Sequence, residues 1–551
     1  VIFTLPSFKK LGPDLAGGVT TAIISLPLAL AFGVASGAGA KSGLIGAVLV
    51  GLLAAIFGSC KRLISEPTGP MTVIMTAVIA SITASYPEQG LAMAFTVVMI
   101  AGLVQILIGV LKLGKFITLM PYCVISGFMS GIGVLLILMQ LPPFLGVDSP
   151  GGGAVGILRA VPAMVSSIAL PELGLGLFAF LILFFYPKAW RKKCPPQLVA
   201  LLAGTLVSIL LFDADTVRRI GRIPMGLPEL QIPTFSPEML NRILIDGIVL
   251  GVLGCIDTLL TAMIADSLTR EYHNSDRELV GQGIANFVSG LFGGLPGAGA
   301  TMGTVVNIQT GARSNLAGIF RALILLTLLL GAAPLLSPVP MAVLAAIALK
   351  VGIDILDWSF MQRVHHFSRS STYMMWIVLL LTVFVDLVMA VGVGVFIANL
   401  LTIKRLSDLS AKEVRTIGLN EAGEELPVDE KVLMEVAAGK VLLFQLNGPM
   451  IFGVAKAIAR EHAAMKHAKV LVLDLSKVTL LGVTVSLALE NMVKDAISDE
   501  GIVLVAGAQQ STRERLDKFG FFEVEGLEFM ADRKTALLRS VEWLKEQGEI
   551  L

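Results

Sequence analysis

Histidine and cysteine are both scarce in this chain. Its 551 residues include five histidines and four cysteines: Cys60, Cys123, Cys194 and Cys255. The cysteines stand far apart, with no CxxC pair and no histidine pair beside them. That spacing excludes a zinc site and a disulfide framework, and leaves the cysteines as small buried hydrophobes. Charge is scarce too. Acidic and basic residues make up 15% of the chain against 55% hydrophobic residues, and mean hydropathy is +0.83. A soluble protein of this length does not need so much apolar surface, so the chain reads as a polytopic protein of the lipid bilayer with a further part attached. The net charge of +1 gives no electrostatic case for nucleic acid. No nucleophile stands beside a base in a hydrolytic pattern, so no enzyme is expected. The stretch VIFTLPSFKKLGPDL is polar and basic without a signal-peptide pattern, and reads as a cytoplasmic lead-in.

The few charges are unevenly placed: sparse up to about Leu401 and frequent beyond it. The expected organisation is a transmembrane transport domain over 1–402, with repeats at roughly 1–215 and 240–402. A linker with one strand follows over 403–438, then a cytoplasmic α/β domain over 439–551. Fourteen stretches approach the apolar length of a membrane span: 15–35, 43–58, 69–85, 91–111, 117–140, 172–187, 197–212, 243–265, 279–293, 300–311, 316–336, 339–353, 372–385 and 386–402. Basic groups at Lys9, Lys61, Lys112, Arg191, Arg270, Arg313, Arg363 and Lys404 then fall on one side, which the positive-inside rule makes the cytoplasm. Arg218, Arg219 and Arg222 are the exception. The expected location is the plasma (inner) membrane, with the N-terminus and the C-terminal domain inside.

Two of the short spans begin after unusual stretches, SEPTGP (65–70) and GGLPGAGATMG (293–303). They hold matching places in the two sets of seven, the signature of an inverted repeat with a binding site between the breaks. A helix that starts inside the membrane aims its free N–H groups and positive dipole end at a cavity, which suits a small anion. Thr68 and Gly69 serve one such start. At the other, Thr301 supplies a hydroxyl while Gly297, Gly299 and Ala300 leave the backbone bare. Either break alone reads equally as a kink. In the span GCIDTLLTAMIADSL (254–268), Asp257 is a carboxylate deep in an apolar run, with Thr261 one turn on along the same face. Intramembrane carboxylates mark ion or proton pathways. Asp257, Thr261 and the carbonyls of Gly299, Ala300 and Thr301 offer oxygens to Na⁺, and a proton on Asp257 serves as well. Glu66 reads as a solvated or capping charge, Asp386 as a turn residue, and the histidines as peripheral.

Beyond the last span, GKVLLFQLNGPM, AKVLVLDLS and IVLVAGA read as strands alternating with helices, giving a small, mostly parallel sheet.

The segments GGVTTAIISLPLALAFGVASGAG, LISEPTGPMTV, GFMSGIG, GAGATMGTVVNIQTG and VLVLDLSKVTLLGVTVSLALE together resemble the SulP family of anion transporters, and within it the cyanobacterial bicarbonate transporters. The resemblance runs over essentially the whole chain. It implies a seven-plus-seven inverted repeat with core and gate domains, a C-terminal STAS domain, a homodimer, and Na⁺–bicarbonate symport by elevator-like motion. Carried over, the cation site is Asp257, Thr261, Gly299, Ala300 and Thr301, and the anion site is Thr68, Gly69, Ala300 and Thr301. No cofactor is implied beyond the transported Na⁺ and bicarbonate. A proton-coupled sulfate or dicarboxylate carrier keeps the same fold, and a membrane-anchored STAS regulator is the reading from another class. One departure concerns STAS phosphorylation switches, which resemble DxSxVxxxDSSG. Here Gly482 replaces the second aspartate, and Val483 and Thr484 replace the serines. A folding, dimerising or docking role is therefore expected instead of a phosphorylation switch.

Overall fold

The computed structural model describes residues 11–550 apart from 118–120, 151–152, 188–189, 191–194, 214, 222–225, 227, 332–335, 364–365, 367, 386, 418–425, 452, 463–467 and 499. The lead-in through residue 10, Cys194, Arg191, Arg222, His365 and Asp386 thus lie outside the described residues. The chain forms two compact units, residues 1–395 and 396–551.

The first unit is helical: α1 (Gly12–Ala35), α2 (Ala40–Phe57), α3 (Gly69–Ser85), α4 (Gly90–Val110), the short α5 (Gly114–Ile117), α6 (Tyr122–Leu145), α7 (Gly153–Ser166), α8 (Leu170–Phe185), α9 (Pro196–Leu211), α10 (Leu240–Thr269), α11 (Ser275–Leu291), α12 (Thr301–Gln309), α13 (Leu316–Gly331), α14 (Met341–Ile355), the short α15 (Trp358–Gln362), α16 (Arg369–Phe384) and the start of α17 (Leu387–Lys412). Among the described helices, α1, α2, α4, α6 and α10 are each long and apolar enough to cross a bilayer. α7 and α8 form one pair bent by 115°. Sequence reasoning missed α7, because Arg159 and Pro162 interrupt its apolar face.

The helices pack in two groups. One is built on α4 against α10 and α11, with α2 against α11 and α13. The other is built on α6 against α14 and α16, with α8 against α14. Glycine sets the close approach of α4 and α11: a Cβ at Gly102 would lie 2.6 Å from the Gly283 carbonyl, and one at Gly283 equally close to the Gly102 carbonyl. The arginines that broke the charge rule are tied down locally. Arg218 pairs with Glu172 and Asp148, and Arg219 donates to the carbonyls of Ser208 and Phe212. They pin a loop against α8 and α9, which accounts for basic residues where topology does not call for them.

The second unit holds a five-stranded sheet in the order β3 (Val414–Ile417), β4 (Val441–Met450), β5 (Val470–Leu481), β6 (Ile502–Ala506), β7 (Leu527–Met530). Only β3–β4 is antiparallel. Leu471, Leu473 and Leu475 face one buried cluster, and Val470 and Val472 the other. Both faces of the sheet are covered, which is why β5 reads as an unbroken apolar run. The stretch expected to be a linker is mostly structured. α17 continues to Lys412, because IKRLSDLSAK is helix-forming although polar, and Val428–Val436 is a further helix. The end of the apolar run marked a change of environment, not the end of the helix.

Candidate functional site

Both unusual stretches fold alike. Each leaves a preceding helix, runs two residues in extended form, and restarts as a helix. Ser65–Glu66 (β1) and Ala298–Gly299 (β2) pair antiparallel, Ser65 opposite Gly299 and Glu66 opposite Ala298. The ladder continues with Ala300 N–H to the Ile64 carbonyl at 2.7 Å. α3 and α12 start beyond the two strands, with Thr68 and Ala300 as their N-caps and Pro70 in the first turn of α3. Pairing satisfies the extended backbone that hydrocarbon would not tolerate, and leaves two first helical turns with the unbonded N–H groups that any helix start carries.

α10 runs past this junction and supplies side chains on one face. Asp257 is 6% exposed and accepts a 2.8 Å hydrogen bond from the Thr68 hydroxyl. Among the described residues no basic group pairs with it. Thr258 Oγ1 accepts from Gly299 N–H at 3.2 Å. Thr261 Oγ1 donates to the Gly299 carbonyl at 2.7 Å and lies 2.9 Å from Thr301 Oγ1. A hydroxyl has one proton, so Thr301 is the donor in that second contact.

The structure therefore sets two hydrogen-bonded groups along α10, Thr68 with Asp257 and Thr261 with Gly299 and Thr301, and together they form one cluster with Ala300 between Gly299 and Thr301. Gly69 opens α3 and touches the second helix group, since a Cβ there would meet Ile355 Cδ1. The Thr68 hydroxyl makes no bond to its own helix; it serves the carboxylate instead. Thr301 is exposed while Asp257, Thr258 and Thr261 are buried, so the cluster has an open side at the start of α12. Carboxylate, hydroxyl and carbonyl oxygens are hard donors suited to a small cation, and paired helix starts suit an anion beside it. The described residues hold no cluster of three or more His, Cys, Asp or Glu of the kind that holds a transition metal.

Several polar residues around the cluster escaped sequence reasoning. Glu66 is not solvated: it is 3% exposed and pairs at 2.7 Å with the fully buried Arg321 of α13. Its place just before a helix start suggested a solvated or capping charge, whereas the stretch is buried from Leu63 on. Asn286 of α11 clamps Gly297, accepting its N–H at 2.8 Å and donating to its carbonyl at 2.9 Å, where Gln282 donates too. A lone arginine in the apolar run LAGIFRALILL was the available signal for Arg321. His273 also differs from expectation. Its side chain is 5% exposed and bridges Asp266 at 2.7 Å and Ser275 at 3.1 Å, stapling the end of α10 to α11.

Residues 11–379 match the sulfate permease family, and residues 434–536 match the STAS domain. The bicarbonate transporter BicA of Picosynechococcus sp. is 56% identical over 520 residues, covering 94% of this chain and 92% of that protein. Among solved structures, the transmembrane domain of a cyanobacterium bicarbonate transporter BicA is 60% identical, with a TM-score of 0.67, over 70% of this chain and 99% of the other. SLC26A9 is 16% identical, with a TM-score of 0.82, over 98% of this chain and 92% of the other, which is a likeness of fold alone.

Proposed function

This chain belongs to the sulfate permease family, and on that premise we propose that it takes up bicarbonate together with Na⁺ by secondary active transport. The observation that supports the reading is that α10 carries Asp257, bonded to Thr68 at the start of α3, and one turn on Thr261, bonded to Gly299 and Thr301 at the start of α12. Na⁺ binds the Asp257 carboxylate with oxygens of Thr261 and of the Gly299–Thr301 stretch. Bicarbonate binds beside it, at the first turns of α3 and α12 near Thr68, Gly69, Ala300 and Thr301. Thr68 belongs to both halves, because its hydroxyl holds the carboxylate while its backbone begins the helix that faces the anion. Cation binding neutralises Asp257 and fixes the backbone that then receives the anion. The 56% identity to a bicarbonate transporter over nearly its full length supports the choice of anion.

The rest of the reading follows from this. Fourteen segments form two inverted sevenfold repeats over roughly 1–215 and 240–402. The core group carries the site past the gate group in an elevator-like motion. The chain works as a homodimer in the plasma membrane, with its STAS domain cytoplasmic and serving assembly or docking. The test is uptake of labelled bicarbonate into proteoliposomes with and without a Na⁺ gradient, with unlabelled sulfate as competitor. Uptake should follow the Na⁺ gradient and resist sulfate. Uptake that follows a pH gradient and yields to sulfate would instead identify a proton-coupled oxyanion carrier. Anion binding without movement would identify a regulator.

A further inference from the structure

A polar strut crosses the interior beside this cluster. Arg321 sits in the second turn of α13 with its side chain fully buried, and its three kinds of nitrogen reach three partners. Nε donates to Ser25 Oγ of α1 at 2.9 Å, Nη1 to the Ser65 carbonyl at 3.0 Å, and Nη2 to Glu66 Oε2 at 2.7 Å. Ser65 and Glu66 are β1 itself. Two residues beyond Glu66, Thr68 holds Asp257; across the ladder from Ser65 stands Gly299, whose carbonyl receives Thr261. One guanidinium thus grips the strand from which both halves of the cluster are hung. α2 makes room for it with Gly51: a Cβ there would overlap Nη1 and lie 3.1 Å from the Ser65 carbonyl. Burying an arginine among apolar helices is costly unless it is fully paired. Here the cation is spent on Glu66, so it does not compensate Asp257. The fork geometry matters as much as the charge, since an ammonium is a point donor without a planar fork.

We infer that Arg321 is a positioning residue for transport: through Ser65 and Glu66 it sets the β1–β2 crosspiece, and so the joint placement of Thr68 and Gly299. The ions named in its test rest on the transport reading above. A merely structural arginine would affect yield and melting; a positioning one moves two half-saturation constants together.

The experiment uses the full chain in proteoliposomes. Arg321→Lys keeps the charge and loses the fork. Half-saturating Na⁺ and half-saturating bicarbonate should both rise, by about 10–100-fold, as when partners behind an ion's direct ligands are removed. The rate at saturating ions should be largely kept. Gly51→Ala leaves both charges in place and pushes the guanidinium off the Ser65 carbonyl; it should raise both constants in the same ratio, and it carries the test if Arg321→Lys does not insert. Unaltered constants in an inserted variant, or a change for one ion only, overturn the inference. Amide hydrogen exchange over 64–72 and 298–304, without ions, should be faster in both variants than in the unsubstituted chain, and equal exchange overturns the inference whatever is transported. If the unsubstituted chain shows no Na⁺-driven bicarbonate uptake, the transport reading falls, and the exchange measurement still decides the role of Arg321.

Discussion

Asp257 is buried, accepts one hydrogen bond from Thr68, and meets no basic side chain among the described residues. A carboxylate so placed is stabilised most by a cation that arrives from outside. Asp257→Asn should therefore abolish the Na⁺ dependence of uptake while the amount of inserted protein stays the same. Normal Na⁺ dependence in that variant would remove the residue from the cation site. Thr68→Val keeps the shape and removes a hydrogen bond to a charged group, an interaction of about 1.5–3 kcal/mol. That bond exists without ions, so melting should fall somewhat, and half-saturating bicarbonate should rise by more than the fall in stability explains; an unchanged value would take Thr68 out of the anion site. These two residues and Thr261 were legible because an acid in an apolar run, a hydroxyl one helical turn on, and a Pro-Thr-Gly break each stand out against their surroundings. Thr258 was not, since a threonine inside a helix commonly bonds its own backbone. Glu66 was misjudged because its partner stands 255 residues away, and no local pattern announces such a pair.

At the scale of elements, the long apolar helices and the strands β4, β5 and β6 followed from their apolar runs, whereas β7 was not read. Nor were the short elements. β1 and β2 have two residues each, too few for any periodic signal, and they exist because each supplies the other's hydrogen bonds. The end of α17 was missed for a different reason: burial pattern and helix propensity part company there. Helix contacts offer their own test. Gly102→Val should force α4 and α11 apart and lower stability by about 1–3 kcal/mol, seen as a lower melting temperature in detergent. Gly174→Ala on α8, where a Cβ meets nothing within 4 Å, should melt like the unsubstituted chain.

At the scale of the whole molecule, the two units answer to different physics. The second is held by a two-faced sheet and by ion pairs in water. Asp474 is 1% exposed and accepts from Ser476, Gln445 and Arg533. Arg533 keeps its pair with Glu430, so Asp474→Ala should cost the lost hydrogen bonds at a buried position, about 1–3 kcal/mol, read as early unfolding reported by Trp543. Asp429 beside Lys534, Glu549 beside Lys440, and Asp532 capping its helix at Thr535 all have carboxyls held below their ordinary range, each first of all by the hydrogen bond to that neighbour. Their folded values lie under the unfolded ones, so they stabilise this unit above the ordinary carboxylate values and lose that contribution as pH falls from those values through the lower folded ones. Its melting temperature should hold between about pH 5 and 7 and decline below about pH 4, and a constant melting temperature down to pH 3 would discount these contacts. The first unit carries a consequence for biosynthesis. Because the Glu66–Arg321 pair closes so long a loop, a ribosome that has not yet reached β2 and α13 has released an earlier segment whose acid has no mate and whose short strand has no neighbour. Until that mate arrives, the nascent half should depend on the insertion machinery to shield it, and chains halted before residue 299 should be degraded faster than chains halted after 331.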